Sequence, residues 1–205
     1  RIPELIDYQN LNYAKEYCDF ISKVFSREKE ARMSSELSQN VAKYLFKLMA
    51  TKDEYEVARL SLKAELDLAI SEEFGKSAKI NYMLHPPFLK AMENIPVLNM
   101  LPGVKSKLAL GPWFKVFYVM LKHMKFLRGT PLDFMSWFSS DVRRADSKLL
   151  NFYKDSINQR LDQISNGDYR NLIKFSKLPD IVRGYEEVRL ETVEEFYKKA
   201  DQILK

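Results

Sequence analysis

The chain has 205 residues, 46% of them hydrophobic and 30% charged, a mixture that suits a folded domain with a sizeable core and excludes both disorder and a membrane-embedded body. Its 33 Lys and Arg against 28 Asp and Glu leave a formal charge of +5 with both signs interspersed, which favours solubility and offers no basic block for nucleic acid. A single cysteine, Cys18, excludes an internal disulfide; with no secretory signal, the expected compartment is the reducing cytoplasm.

The opening Arg1-Ile2-Pro3 does not resemble a natural start, so the chain is expected to be one domain, 1–205, cut from a longer protein. No apolar run approaches the roughly 20 residues that span a bilayer. The densest stretch, "WFKVFYVMLKHMKFL", is interrupted by three lysines and a histidine and fits a core helix.

In chain order, residues 2–35 read as an N-terminal helix, with Leu11, Ala14, Tyr17, Cys18, Ile21 and Val24 at helical spacing. Ser34 or Ser35 is placed to cap a second helix with the stripe Val41, Tyr44, Leu45 and Leu48. Thr51 stands three residues before Glu54 as in a capping box, which predicts a third helix from 51 to about 74, stopped by Gly75.

Ile80, Tyr82 and Leu84 alternate with Asn81 and Met83 before Pro86-Pro87, so 79–84 is expected to be a strand. "KLAL" at 107–110 is its candidate partner in one small β-hairpin, which needs helices to cover it. Further helices are expected at about 113–127, 140–164, 169–177 and 190–204. The fold class is therefore mainly α, with about six to seven helices and that hairpin.

Elimination limits the chemistry. All six glycines are isolated, so neither a G-x-G-x-x-G nor a P-loop cradle is present. One cysteine cannot hold a four-thiolate cluster, and two histidines 38 positions apart give no metal-ligand spacing. No catalytic residue and no metal site is assigned.

Four polar residues remain as candidates for ligand binding or interdomain contact. His85, before two prolines, is held extended and offers a donor to an anion, or else bonds a nearby carbonyl. Arg59 falls one turn after Glu56 and pairs with it at i,i+3, either as an ordinary helix pair or as an aimed guanidinium. Arg128 precedes Gly129-Thr130-Pro131-Leu132-Asp133, in which Gly129 turns the chain, Thr130 is the expected N-cap, Pro131 opens the helix and Asp133 completes a capping box. Arg183 lies in a fourth motif. On the 113–127 helix, Lys115, Lys122, His123 and Lys125 form a basic rim or merely a solvated face.

"LFKLMATKDEYEVARL", "KINYMLHPPFL", "LGPWFKVFYVMLKHMKFLRGTPLD" and "LPDIVRGYEEVR" occur in this order and spacing. Together they resemble the C-terminal domain of indolepyruvate:ferredoxin oxidoreductases and related 2-oxoacid oxidoreductases, over the whole of 1–205. The resemblance implies a parent that converts an arylpyruvate to an acyl-CoA with thiamine diphosphate and iron-sulfur clusters, all held in other domains or subunits, and passes electrons to a ferredoxin-like acceptor. "SLKAELDLAISEEF" and "AMENIPVLNMLPGVKSK" depart from the family pattern, so indolepyruvate serves as a family label.

Two readings follow. In one, the chain is an accessory scaffold that docks on the catalytic domains, with Arg59, His85, Arg128 and Arg183 tied into internal or interdomain contacts. In the other, these four residues converge on an anion such as the phosphates of coenzyme A. Nucleic-acid binding through the basic surplus ranks third, having neither aromatic interleaving nor a motif.

Overall fold

The computed structural model describes residues 1–75, 77–84, 108–133, 135–136, 140–162, 164 and 166–205. Among the described residues the helices are α1 (Ile2–Tyr8), α2 (Leu11–Glu30), α3 (Glu36–Met49), α4 (Glu54–Ser61), α5 (Ala64–Phe74), α6 (Lys115–His123), α7 (Ser140–Leu161), α8 (Asn166–Lys177) and α9 (Glu186–Leu204). The mainly helical class stands, and these nine helices exceed the six to seven expected. Two three-residue strands, β1 (Tyr82–Leu84) and β2 (Leu108–Leu110), and short 3-10 turns at Pro112–Phe114, Met124–Leu127 and Leu178–Asp180 accompany them. Where the sequence reading has one domain over 1–205, compactness divides the chain into Arg1–Thr51 with Asp141–Lys205, and Lys52–Ser140.

In the first unit, the N-terminal helix breaks in two because Asn10 is extended and its side chain accepts the Tyr13 amide at 2.9 Å, starting α2 afresh. The stripe Ala14, Tyr17, Phe20 and Val24 of α2 packs on Leu37, Val41, Tyr44, Leu45 and Leu48 of α3. On α7, Leu149, Tyr153, Ile157 and Leu161 recur every fourth residue and are all buried. They join Leu172 and Phe175 of α8 and Val193, Phe196 and Ala200 of α9 in one core. The Tyr153 and Phe175 rings stack with centroids 5.5 Å apart, and the Tyr153 hydroxyl donates to the Ser176 carbonyl at 2.9 Å, so the most buried phenol is not left unsatisfied.

The start of α3 departs from expectation. Ser35 stands at the N-cap, but its side chain takes none of the helix-start amides; the carboxylate of Glu28, only 1% exposed, accepts the Leu37 and Ser38 amides at 2.8 and 2.9 Å. An ionised group at the positive end of a helix makes a stronger cap than a hydroxyl. The third carboxylate contact comes from α8, where the Tyr169 hydroxyl donates at 2.7 Å.

In the second unit, the helix expected from 51 to 74 is interrupted. The Leu62 and Lys63 amides turn back to Arg59 and Leu60 carbonyls three residues earlier, and Lys63 is extended before α5 begins. Gly75, at φ +83°, ends α5 as anticipated. Tyr55 and Ala58 of α4 form a small core with Phe114, Tyr118 and Leu121, three residues on one side of α6 and the 3-10 turn before it.

β1 and β2 run antiparallel, pairing Tyr82 with Leu110, Met83 with Ala109 and Leu84 with Leu108. The hairpin expected over 79–84 and 107–110 is thereby narrowed: 79–81 stay outside the ladder, and the link 85–107 lies outside the described residues. A ladder this short is marginal alone. Tyr82 anchors it by meeting the Tyr118 ring edge-on, 5.0 Å between centroids.

Candidate functional site

The second unit builds its polar centre on the first turn of α4. Asp53 is extended and its Oδ1 accepts the Glu56 amide at 2.8 Å, so Asp53 is the N-cap. The N-cap expected at Thr51 is therefore displaced by two residues, and Glu56, which would stand for the acid of a capping box, turns its carboxylate to Arg59 instead. Thr51 instead shares a hydrogen bond with the Tyr8 hydroxyl at 3.2 Å, and Glu54 occupies the first turn, where the helix dipole favours an acid.

Arg128 closes on the same Asp53. Its Nε donates to Oδ2 at 2.6 Å and its Nη2 to Oδ1 at 2.9 Å, with the two side chains 12% and 9% exposed. The guanidinium lies 5.5 Å from the centre of the Tyr55 ring. Tyr55 in turn donates its hydroxyl to Asp133 Oδ1 at 2.8 Å, and Asp133 Oδ2 accepts the Gly129 amide at 3.2 Å. Because Arg128 and Gly129 are consecutive, these contacts form a ring that clamps the 128–133 turn onto α4. Gly129, at φ +76°, lets the chain make that turn.

Thr130 is not an N-cap. Its Oγ1 donates back to the Leu127 carbonyl at 2.7 Å, and it is Asp133, 1% exposed, that receives the Ser136 amide three residues on. A buried carboxylate serves three donors here, more than a hydroxyl can. Pro131 accordingly lies in a turn instead of opening a helix.

Arg59 and Glu56 meet fork to fork, Nε to Oε2 and Nη2 to Oε1, both at 2.8 Å. At 7% and 11% exposure, the pair is a buried one, unlike an ordinary surface pair at i,i+3. Arg59 and Arg128 thus both attach to α4 through carboxylates. Arg183 belongs to the other unit, and its 70% exposed side chain pairs with Asp180 at 3.1 Å. His85 lies outside the described residues.

Around Arg183, sequence reasoning missed two contacts. Lys47 donates to the Pro179 and Asp180 carbonyls at 2.7 and 3.1 Å, which ties α3 to the turn before Arg183. Burial lowers its pKa, opposed by Asp180 and assisted by Arg183, Arg189 and Lys43. Arg189 pairs with Asp146 at 2.8 Å. Burial outweighs that guanidinium and raises the Asp146 carboxyl above its ordinary range. Asp53 suited the positive end of the helix in the sequence, but its place as the N-cap was missed, although "DEYE" offers an acid three residues before Glu56 as readily as "TKDE" offers Thr51 before Glu54.

A model of a family of unknown function, DUF6537, matches residues 1–202. The chain belongs to that family. No curated protein matches this DUF6537 chain, and no solved structure does. Among the described residues no helix is long and apolar enough to cross a membrane.

Proposed function

We propose that this DUF6537 chain is the accessory scaffold domain of a cytoplasmic, thiamine-diphosphate-dependent 2-oxoacid oxidoreductase that makes an acyl-CoA from an arylpyruvate. The four ordered motifs that resemble such enzymes suggest the parent. The use to which two of them are put supports the scaffold reading over an anion site: the motif arginines Arg59 and Arg128 present their forks to Glu56 and Asp53. A guanidinium whose charge is already compensated by a buried carboxylate gains less from a phosphate, and turning its fork away would leave the acid uncompensated. The motif residues are thus spent on the shape of the unit that presents them.

Cys18 supplies one of the four thiolates an iron-sulfur cluster needs. In this proposal the clusters and the thiamine diphosphate therefore reside elsewhere in the parent, which hands electrons to a ferredoxin-like acceptor. The test compares the complete parent, the parent lacking this segment, and the 205-residue chain alone in reduction of an artificial acceptor driven by arylpyruvate and coenzyme A. Turnover by the parent, loss of it or of assembly on deletion, and none by the chain alone are expected. A parent inert toward every 2-oxoacid overturns the parent assignment; saturable binding of coenzyme A to the chain alone, weakened by Arg128→Ala, overturns the scaffold role in favour of the anion site.

A further inference from the structure

Beside the core of the first unit, α7 and α9 meet along flanks of matching spacing. Phe152, Ser156 and Arg160 follow one another every fourth residue on α7, as Tyr197 and Asp201 do on α9. With Leu204 they line a cavity of about 380 Å³, all of whose lining residues belong to that unit. This is the small end of the roughly 300–1,000 Å³ typical of ligand pockets, and it suits a ring-sized compound better than a nucleotide cofactor.

The wall holds polar groups that the fold does not use. Ser156 is only 5% exposed, yet its hydroxyl makes no hydrogen bond among the described residues. Helical serines elsewhere in the chain turn back on the backbone: Ser38, Ser71 and Ser176 each donate to the carbonyl three residues earlier. The Tyr197 hydroxyl also lacks a hydrogen bond among the described residues, and burial raises its pKa, so it stands as a protonated donor at neutral pH. Arg160 donates to the Ser156 carbonyl at 3.3 Å and to the Leu204 carbonyl at 3.0 Å. Those two bonds fix the guanidinium and leave the rest of its fork of donors unused, and no acid among the described residues pairs with it.

These groups select the ligand. One cation and two hydroxyl donors call for a group that accepts hydrogen bonds and carries negative charge. The rings of Phe152 and Tyr197, edge-on with centroids 5.1 Å apart, and the Leu204 side chain call for an apolar body. A phosphate dianion would bring a second charge for which the wall keeps no second free cation, since Lys205 is held by Asp201 at 2.6 Å.

We propose that this cavity binds a small carboxylic acid with an apolar, ring-sized body, its carboxylate taken by the Arg160 guanidinium and the Ser156 and Tyr197 hydroxyls. The proposal stands whatever the parent enzyme is, since it uses neither the 2-oxoacid assignment nor the buried arginine pairs of the other unit.

Benzoate is the probe, titrated into the 205-residue chain and followed by amide chemical shifts in nuclear magnetic resonance. Saturable shifts confined to the flanks of α7 and α9 are expected, with a dissociation constant below about 1 mM. Benzamide, of the same shape without the charge, is expected to bind at least about tenfold more weakly. Ser156→Ala and Tyr197→Phe are each expected to weaken benzoate about tenfold. Ser156→Ala should leave the thermal melt unchanged, because its hydroxyl bonds nothing in the free chain; Arg160→Gln should abolish binding. No saturable shift by about 10 mM benzoate overturns the proposal. So does benzamide binding as tightly as benzoate, inorganic phosphate binding more tightly than either, or full benzoate affinity in both Ser156→Ala and Tyr197→Phe.

Discussion

Cutting the Arg128 side chain back to alanine tests whether the 128–133 turn is clamped onto α4 by a buried ion pair. Removing one member of a buried pair costs about 3–5 kcal/mol, most of it from the charge left behind. Asp53 retains the Glu56 amide, and both side chains of the pair keep about a tenth of their exposure, which places Arg128→Ala near the low end, about 3 kcal/mol. Arg183 is the internal control. Its pair with Asp180 has the same chemistry at 70% and 51% exposure, so Arg183→Ala should cost less than about 1 kcal/mol. Both tryptophans, Trp113 and Trp137, fall within Lys52–Ser140, so tryptophan emission during urea unfolding follows the unit that holds Arg128. Circular dichroism follows both units. With a urea dependence of about 1–3 kcal/mol per molar, the loss moves the emission midpoint down by roughly 1–3 M. A double-mutant cycle with Asp53→Asn, which keeps an acceptor for the Glu56 amide, should return a coupling of about 2 kcal/mol. Equal small losses at Arg128 and Arg183, or a coupling near zero, would refute the clamp.

Glu28→Gln keeps the shape of the side chain that caps α3 but presents an amide NH2 to one of its backbone donors; a loss of about 2 kcal/mol in thermal or urea melts is expected. Thr130→Ala should change stability by less than about 0.5 kcal/mol, whereas Asp133→Ala, which leaves the Tyr55 hydroxyl and the Gly129 amide without their acceptor while the Ser136 amide keeps the Asp133 carbonyl, should cost about 2–3 kcal/mol. Equal effects of the two in denaturant melts would return the cap to Thr130. Burial, and after it Tyr44, raises the Tyr153 hydroxyl well above the usual tyrosine value. The folded state therefore holds this proton more tightly than the unfolded chain, so its stability contribution is complete below about pH 10 and is lost as pH rises from there toward the folded value. Melts from pH 7 to 11 should fall at the alkaline end, and Tyr153→Phe should make that fall shallower.

How much of this was legible depended on the distance over which the determining interaction acts. Apolar periodicity marked the stripes of α2 and α3, because each face is decided within a few turns. Breaks inside those runs were not marked: Asn10 and Leu62-Lys63 interrupt helices whose apolar spacing continues across them. Caps were placed on the nearest hydroxyl, Ser34 or Ser35, Thr51 and Thr130. The structure uses a carboxylate in each case, Glu28, Asp53 and Asp133. Local rules rank serine, threonine and aspartate almost equally at an N-cap. What separates them here is a second partner that arrives from far along the chain: Tyr169 for Glu28, Arg128 for Asp53 and Tyr55 for Asp133.

The polar centre divides along the same line. Glu56 and Arg59 are three residues apart, so their pairing was readable, but its burial was not, since that comes from the packing of α4 on α6. Arg128 and Asp53 are separated by 75 positions, and nothing in the composition of either motif selects the other. The sequence reading made Asp133, five residues after Arg128, the acid of a capping box. Asp133 instead takes the Gly129 amide and the Tyr55 hydroxyl, while Arg128 reaches past it to the start of α4 and lies over the Tyr55 ring. One tyrosine thus joins both acids of the motif pair. That arrangement explains why "RGTPLD" reads as a hinge whose arginine stays open to an anion: its arginine does bind an anion, and the anion is the carboxylate that starts another helix of the same unit.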